Sequence, residues 1–221
     1  MLTKTNEYYQ ERKLSFDETF RTRIHRSMTW LRKADTYIED GDLDMKFICL
    51  WIAFNAAYGK SLPPMDHSNS EKYAFKSFIE KIISLDSINL LASVVCGKYA
   101  MRISFLVENK FTFQKFWDYS KGDKNAADWD RSLAASVKKY NDCRIKMDVS
   151  TILSIVFDRL YVIRNQLMHG GSSCGSRLNR ETIEDAVGFM SDLIPSMLLV
   201  MMMNYKKDHD WGELFYMPIK E

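Results

Sequence analysis

Apolar positions along this chain recur mostly in steps of three and four, the spacing of helices that each bury one face. Phe20, Ile24, Leu31 and Ile38 mark a first helix running to about Asp40, with Ser15 and Glu18 placed as a capping box at its start. Residues 43–58 are apolar nearly all round, which predicts a central helix stopped by Gly59. Asn55 is its odd residue, on a stripe with Trp51 and Tyr58, and is expected to be a buried amide in need of partners. SLPPMDHSNS reads as a loop, and Ser68 with Glu71, or Ser70 itself, opens a third helix to about Ser84. LLASVVCGKYAMRISFLV predicts two short helices, FTFQKFWDYS another, and residues 129–141 a longer one. The last helix starts at Asn179 and carries Pro195, which is expected to kink it. The sum is an all-α single domain over residues 1–221, with residues 1–14 expected to be loose.

Within that frame the stretch DRLYVIRNQLMHGG, residues 158–171, breaks the rule of its own helix. Leu153, Val156, Leu160, Ile163 and Leu167 form a core-facing stripe, yet Arg164, Asn165 and His169 stand among them. At about 100° per residue, Asp158, Asn165 and His169 fall within roughly 40° of one another. Arg164 lies about 140° around from His169 and about 7.5 Å back along the axis. The two meet only if the arginine reaches with its long side chain or if two copies of the helix combine. Gly170 and Gly171 end the helix, so His169 sits among carbonyls that favour a positive ring.

An Arg, a polar residue after it and a His five positions on, late in a long helix, resemble the signature of HEPN domains, here RNQLMH with Arg164, Asn165 and His169. WIAFNAAYG at 51–59, the Gly pair after the His, SRLNRETIEDA and the closing DWGELFY are similar to bacterial HEPN proteins of the Apea-like kind. The resemblance covers most of the chain from about residue 40. It implies a HEPN-type bundle of about seven helices, with extra short helices before the motif helix, that pairs into a homodimer. In active members it implies RNA cutting without a metal, of the toxin or defence sort, with an antitoxin as a further partner.

On that reading Arg164 grips the phosphate bidentately, His169 binds phosphate or acts as a general acid, and Asn165 orients the ring or the phosphate. Asn55 and Asp158 support the site, and the GSSCGSRLN loop brings Ser172 and Arg177 to it. Two plainer readings stand beside this one. In one, a non-catalytic HEPN module binds nucleotide, RNA or a partner protein. In the other, Arg164 ties helices together and His169 merely caps.

Composition adds limits. With 46% hydrophobic residues in 221 the core is ample, and 31 basic against 29 acidic side chains leave a net charge of only +2. Affinity for RNA must then come from a local patch. The best candidate is the run of Arg12, Lys13, Arg21, Arg23, Arg26, Arg32 and Lys33, opposed only by Asp17 and Glu18. Cys49, Cys96, Cys143 and Cys174 lack zinc-ligand spacing, so no metal or cofactor is expected, and Cys49 is expected in the core. The polar opening residues do not read as a secretory signal, and no unbroken apolar run reaches the ~18 residues of a membrane span. A cytoplasmic location is the expectation. MLLVMMMNY is assigned to the core or a dimer contact.

Overall fold

Thr5 and Tyr9, one turn apart in a polar segment, are both buried, and they turn residues 1–14 from the expected loose tail into a helix, α1 (Leu2–Arg12). The Thr5 hydroxyl donates to the Pro195 carbonyl at 3.0 Å, which fixes this helix against the last one. The computed structural model describes residues 1–59, 67–206, 211–214 and 216, without the side chains of 38–40 and 67–73. Ile38 as a stripe marker, residues 61–66 of the expected loop and the Ser68, Ser70 and Glu71 caps lie outside what is described. Among the described residues the chain is all-helical, with ten α-helices and no strand. That exceeds the expected seven because α1 and several short pieces also fold.

α2 (Glu18–Asp40) begins at Asp17, whose carboxylate accepts from the Phe20 N–H at 2.8 Å. Ser15, the expected cap, instead donates to the Arg12 carbonyl inside a short 3₁₀ turn. Asp17 outcompetes it because a carboxylate is the stronger acceptor for the first free N–H groups. Gly41, at φ 67°, makes the left-handed turn into α3 (Leu43–Tyr58), which packs chiefly on α2. Ser27 seals the pair by donating to the Ala53 carbonyl at 2.7 Å. α3 is central as its composition requires, with Phe47, Cys49, Leu50, Ala53 and Phe54 buried.

α4 (His67–Leu85) follows, already helical where the tail of SLPPMDHSNS was expected to be loop. The next stretch does give two short helices. α5 (Leu90–Ala92) continues as a π-helical turn (Ser93–Lys98), then bends by 66° into α6 (Ala100–Glu108). α7 (Gln114–Ser120) and the residues beside it pack half-buried aromatic side chains edge to face, Phe111 on Phe116 and Phe116 on Trp129. α8 (Trp129–Ile145) lies against α9 (Val149–Met168).

α10 (Arg180–Met203) runs through Pro195 as one helix and is the most buried element. Asn179 stands at its start as expected, but at φ 58° its side chain caps nothing. By length and composition α10 is apolar enough to cross a membrane. Ser191, Asp192 and Ser196 interrupt its apolar run, so no unbroken stretch of membrane length shows in the sequence. With 78% of that apolar window buried inside the protein, it serves here as the core helix against α1, α3 and α6.

Candidate functional site

α9 is built to carry polar groups at its far end. Asp148 caps its start by accepting from the Thr151 N–H at 3.0 Å, and hydrogen bonding to Thr151 holds this carboxyl below the usual aspartate range. Ile152, Leu153, Val156, Leu160 and Ile163 then line the core. Arg159, which the sequence reading gave no role, is 3% exposed. Its guanidinium donates to Ser136 Oγ at 2.9 Å and to the Val107 carbonyl at 3.3 Å, and it lies 4.5 Å over the Phe113 ring. Burial lowers its pKa to about 10, partly countered by neighbouring Asp158. A cation beside the last carbonyls of α6 is also where a helix dipole favours one.

At the other end, His169 follows Met168 as the capping residue, and its N–H returns to the Asn165 carbonyl at 3.1 Å. Gly170 turns the chain away at φ 69°. The 140° offset between Arg164 and His169 is bridged by side-chain length within one chain. Arg164 Nη1 donates to Asn165 Oδ1 at 2.9 Å and stands 3.4 Å from His169 Nε2, with its guanidinium carbon 5.9 Å from the Tyr161 ring centre. Arg164 and Asn165 are half-buried and His169 is exposed, so the trio is anchored yet open to solvent.

The other expected site residues divide. Asp158 is exposed and sits two turns before Asn165, about 10.5 Å back along the axis, where its charge acts on the neighbouring Arg159. Asn55 is exposed rather than buried, and it makes no hydrogen bond to Arg164 or His169. On a helix apolar nearly all round, the lone amide marks the solvent stripe, which is the reverse of the expected reading. Ser172 is half-buried, with its N–H on the Gln166 carbonyl at 3.1 Å. Arg177 is exposed, and its guanidinium has no partner among the described residues.

The loop carrying Ser172 and Arg177 is tied down by a distant carboxylate. Asp44, 5% exposed in the first turn of α3, accepts from the Gly175 N–H at 2.7 Å and from Arg180 Nη1 at 2.6 Å. Nothing local in the sequence marks Asp44, which lies 131 positions before its loop partner inside an acidic run. Between this loop and the end of α9 lies a cleft of about 230 Å³, lined by Gln166, Ser172, Asn179 and the Phe111 and Trp117 rings among others. The trio itself does not line it.

The basic run of α2 is not one surface. Arg23 is fully buried, donating to the carbonyls of Ala57, Gly59 and Gly212, and Arg26 holds the Tyr216 carbonyl at 2.6 Å. These two arginines bind peptide carbonyls, in part those of the DWGELFY stretch, of which Asp210 and Phe215 lie outside the described residues. Lys33 rests over the Tyr37 ring, 4.8 Å from its centre. No family model matches the chain, and no match is found among curated proteins or solved structures.

Proposed function

We propose that this chain is a HEPN-type, metal-independent endoribonuclease whose site is the exposed end of α9. The observation that carries the reading is the 3.4 Å approach of Arg164 Nη1 to His169 Nε2. A guanidinium only donates, so when Arg164 bonds to the ring it assigns Nε2 as the acceptor and places the ring proton on Nδ1. That arrangement suits a base, which reverses the preference for an acid expected from the helix end alone.

In the proposed step Arg164 turns its N–H groups from Nε2 to a phosphodiester oxygen, which frees the ring's lone pair for the approaching ribose 2′-hydroxyl. The 2′-oxygen bonds to phosphorus, its proton passes to Nε2, and the phosphorus bond to the 5′-oxygen breaks. The leaving oxygen takes a proton from water, giving a 2′,3′-cyclic phosphate and a 5′-hydroxyl. Arg164 balances the charge gathering on the phosphate, and Asn165 holds the guanidinium in place. The reading pairs two copies across this end, where Tyr161 and Met168 stand exposed, and a neutralising antitoxin would cover the same surface.

One observation favours the alternative of a non-catalytic module that binds RNA, nucleotide or protein: among the described residues no carboxylate hydrogen-bonds to His169. Incubation of RNA with the protein in excess chelator separates the two readings. Cleavage leaving cyclic phosphate ends, reduced about 10²- to 10⁴-fold in a folded His169→Ala variant, is the expected result. RNA bound but left intact would overturn catalysis in favour of the binding module.

A further inference from the structure

The cleft beside the trio differs in chemistry from the trio. Not one charged side chain lines its 230 Å³, so it offers a phosphate no countercharge. It is smaller than the roughly 300–1,000 Å³ of sites for drug-sized ligands, and therefore admits one ring-sized group and not a whole nucleotide. Two half-buried aromatic side chains, Phe111 and Trp117, form part of its wall, their ring centres 6.1 Å apart and tilted by 43°.

Its polar groups are of both senses, and several are uncommitted. Gln166 spends its amide N–H on the Phe111 carbonyl at 3.0 Å, which leaves Oε1 free to accept. Thr182 Oγ1 accepts from Asn109 at 2.8 Å, which leaves its hydroxyl hydrogen free to donate. The half-buried Asn179 amide has no partner among the described residues, because at φ 58° it does not cap α10. An uncharged, flat group edged with donors and acceptors satisfies such a lining, whereas a purely apolar ring would leave Gln166 and Asn179 unpaired.

The cleft and the trio are also adjacent along the chain. Gln166 directly follows Asn165, and Gly171 and Ser172 line the cleft two and three residues beyond His169. The Ser172 N–H donates to the Gln166 carbonyl at 3.1 Å, across the glycine pair that ends α9. The α9 end and the loop are thus held together at the point where trio and cleft meet.

We propose that this cleft takes the nucleobase of a nucleotide flanking the phosphate held by Arg164, so that the protein selects unpaired RNA by the base it receives. This deepens the ribonuclease reading and rests on it for the position of the phosphate. A base inside a duplex is stacked and paired on the edges that the cleft would read, so single-stranded RNA is the substrate class.

The test uses the full chain and the four ribonucleosides, which carry a base and no phosphate. Each is titrated to 10 mM, in roughly the millimolar range of fragment-sized ligands, while the Trp117 indole N–H and the Gln166 side-chain amide are followed by NMR. The expected result is that at least one nucleoside shifts both signals. Affinity should fall about tenfold or more in Ser172→Phe, which fills the cleft, and in Asn179→Gly, which removes the amide but keeps the left-handed backbone. No shift with any nucleoside, or shifts that survive both cleft variants with the fold intact, would overturn the proposal. Nucleoside binding without RNA cleavage would sink the catalytic reading alone. Cleavage with no nucleoside binding would sink the cleft assignment alone.

Discussion

Replacing Asp44 by alanine tests whether the loop beside the site is held by one buried carboxylate. Its two charge-assisted contacts, to Gly175 N at 2.7 Å and Arg180 Nη1 at 2.6 Å, are each worth about 1.5–3 kcal/mol. The gross loss is then about 3–6 kcal/mol. Part returns, because the Arg180 side chain is already 28% exposed and rehydrates once released. A net cost of about 3 kcal/mol remains, or about 6–12 °C in Tm for a chain of this size. Asp44→Asn keeps an acceptor for Gly175 and loses the ion pair, so about half that shift is expected. Calorimetry reads the stability, and amide exchange at Gly175 reads the loop, which should open faster in the alanine variant. A Tm within about 2 °C of the parent in Asp44→Ala would refute the anchoring role.

Further outcomes follow from the same helix. Arg159→Met should come within about 1–2 kcal/mol of the parent by denaturant titration, because its lost hydrogen bonds are offset by relief of a charge whose pKa has fallen to about 10. Arg159→Ala, which leaves a void as well, should cost about 3–5 kcal/mol. The Arg159 pKa lies below its unfolded value, so its penalty on folding is full below pH 10 and eases only as pH rises past it. Asp148→Ala should cost about 0.5–2 kcal/mol. Because the Asp148 pKa is depressed by folding, the parent holds this contribution above the ordinary aspartate range near 4 and loses it as pH falls below. The gap between parent and variant in a pH series of melts should therefore close at low pH. Arg164→Lys should cut RNA cleavage about tenfold or more, since an ammonium loses the bidentate grip, and a full-rate lysine variant would count against the phosphate role.

Periodicity made the main helices legible, because burial of one face is a local property. α3 and α9 could be placed from Phe47, Leu50 and Phe54 and from Leu153, Leu160 and Ile163 alone. The same rule misled at Asn55, since a nearly uniform helix does not say which stripe faces water. It also passed over α1, where two buried residues, Thr5 and Tyr9, are too few to register against a polar background. At the candidate site, the grouping of Arg164, Asn165 and His169 was readable because all three lie within two turns. Asp44, Arg159 and the acceptors of Arg23 were not, because their partners come from distant elements and an Arg or Asp in a charged run looks the same whether solvated or enclosed. The reach of Arg164 to its own His169 was one of two options by helix geometry, and only side-chain coordinates could choose between them.

That choice matters for how an assembly of copies would behave. On the proposed reading each chain, whose Arg164, Asn165 and His169 meet within itself, has its own gripping and proton-accepting groups, so a defective subunit has nothing to withhold from an intact neighbour. Poisoned chains would dilute the output in simple proportion to their number rather than silence the whole, and a dominant-negative allele at His169 is not to be expected.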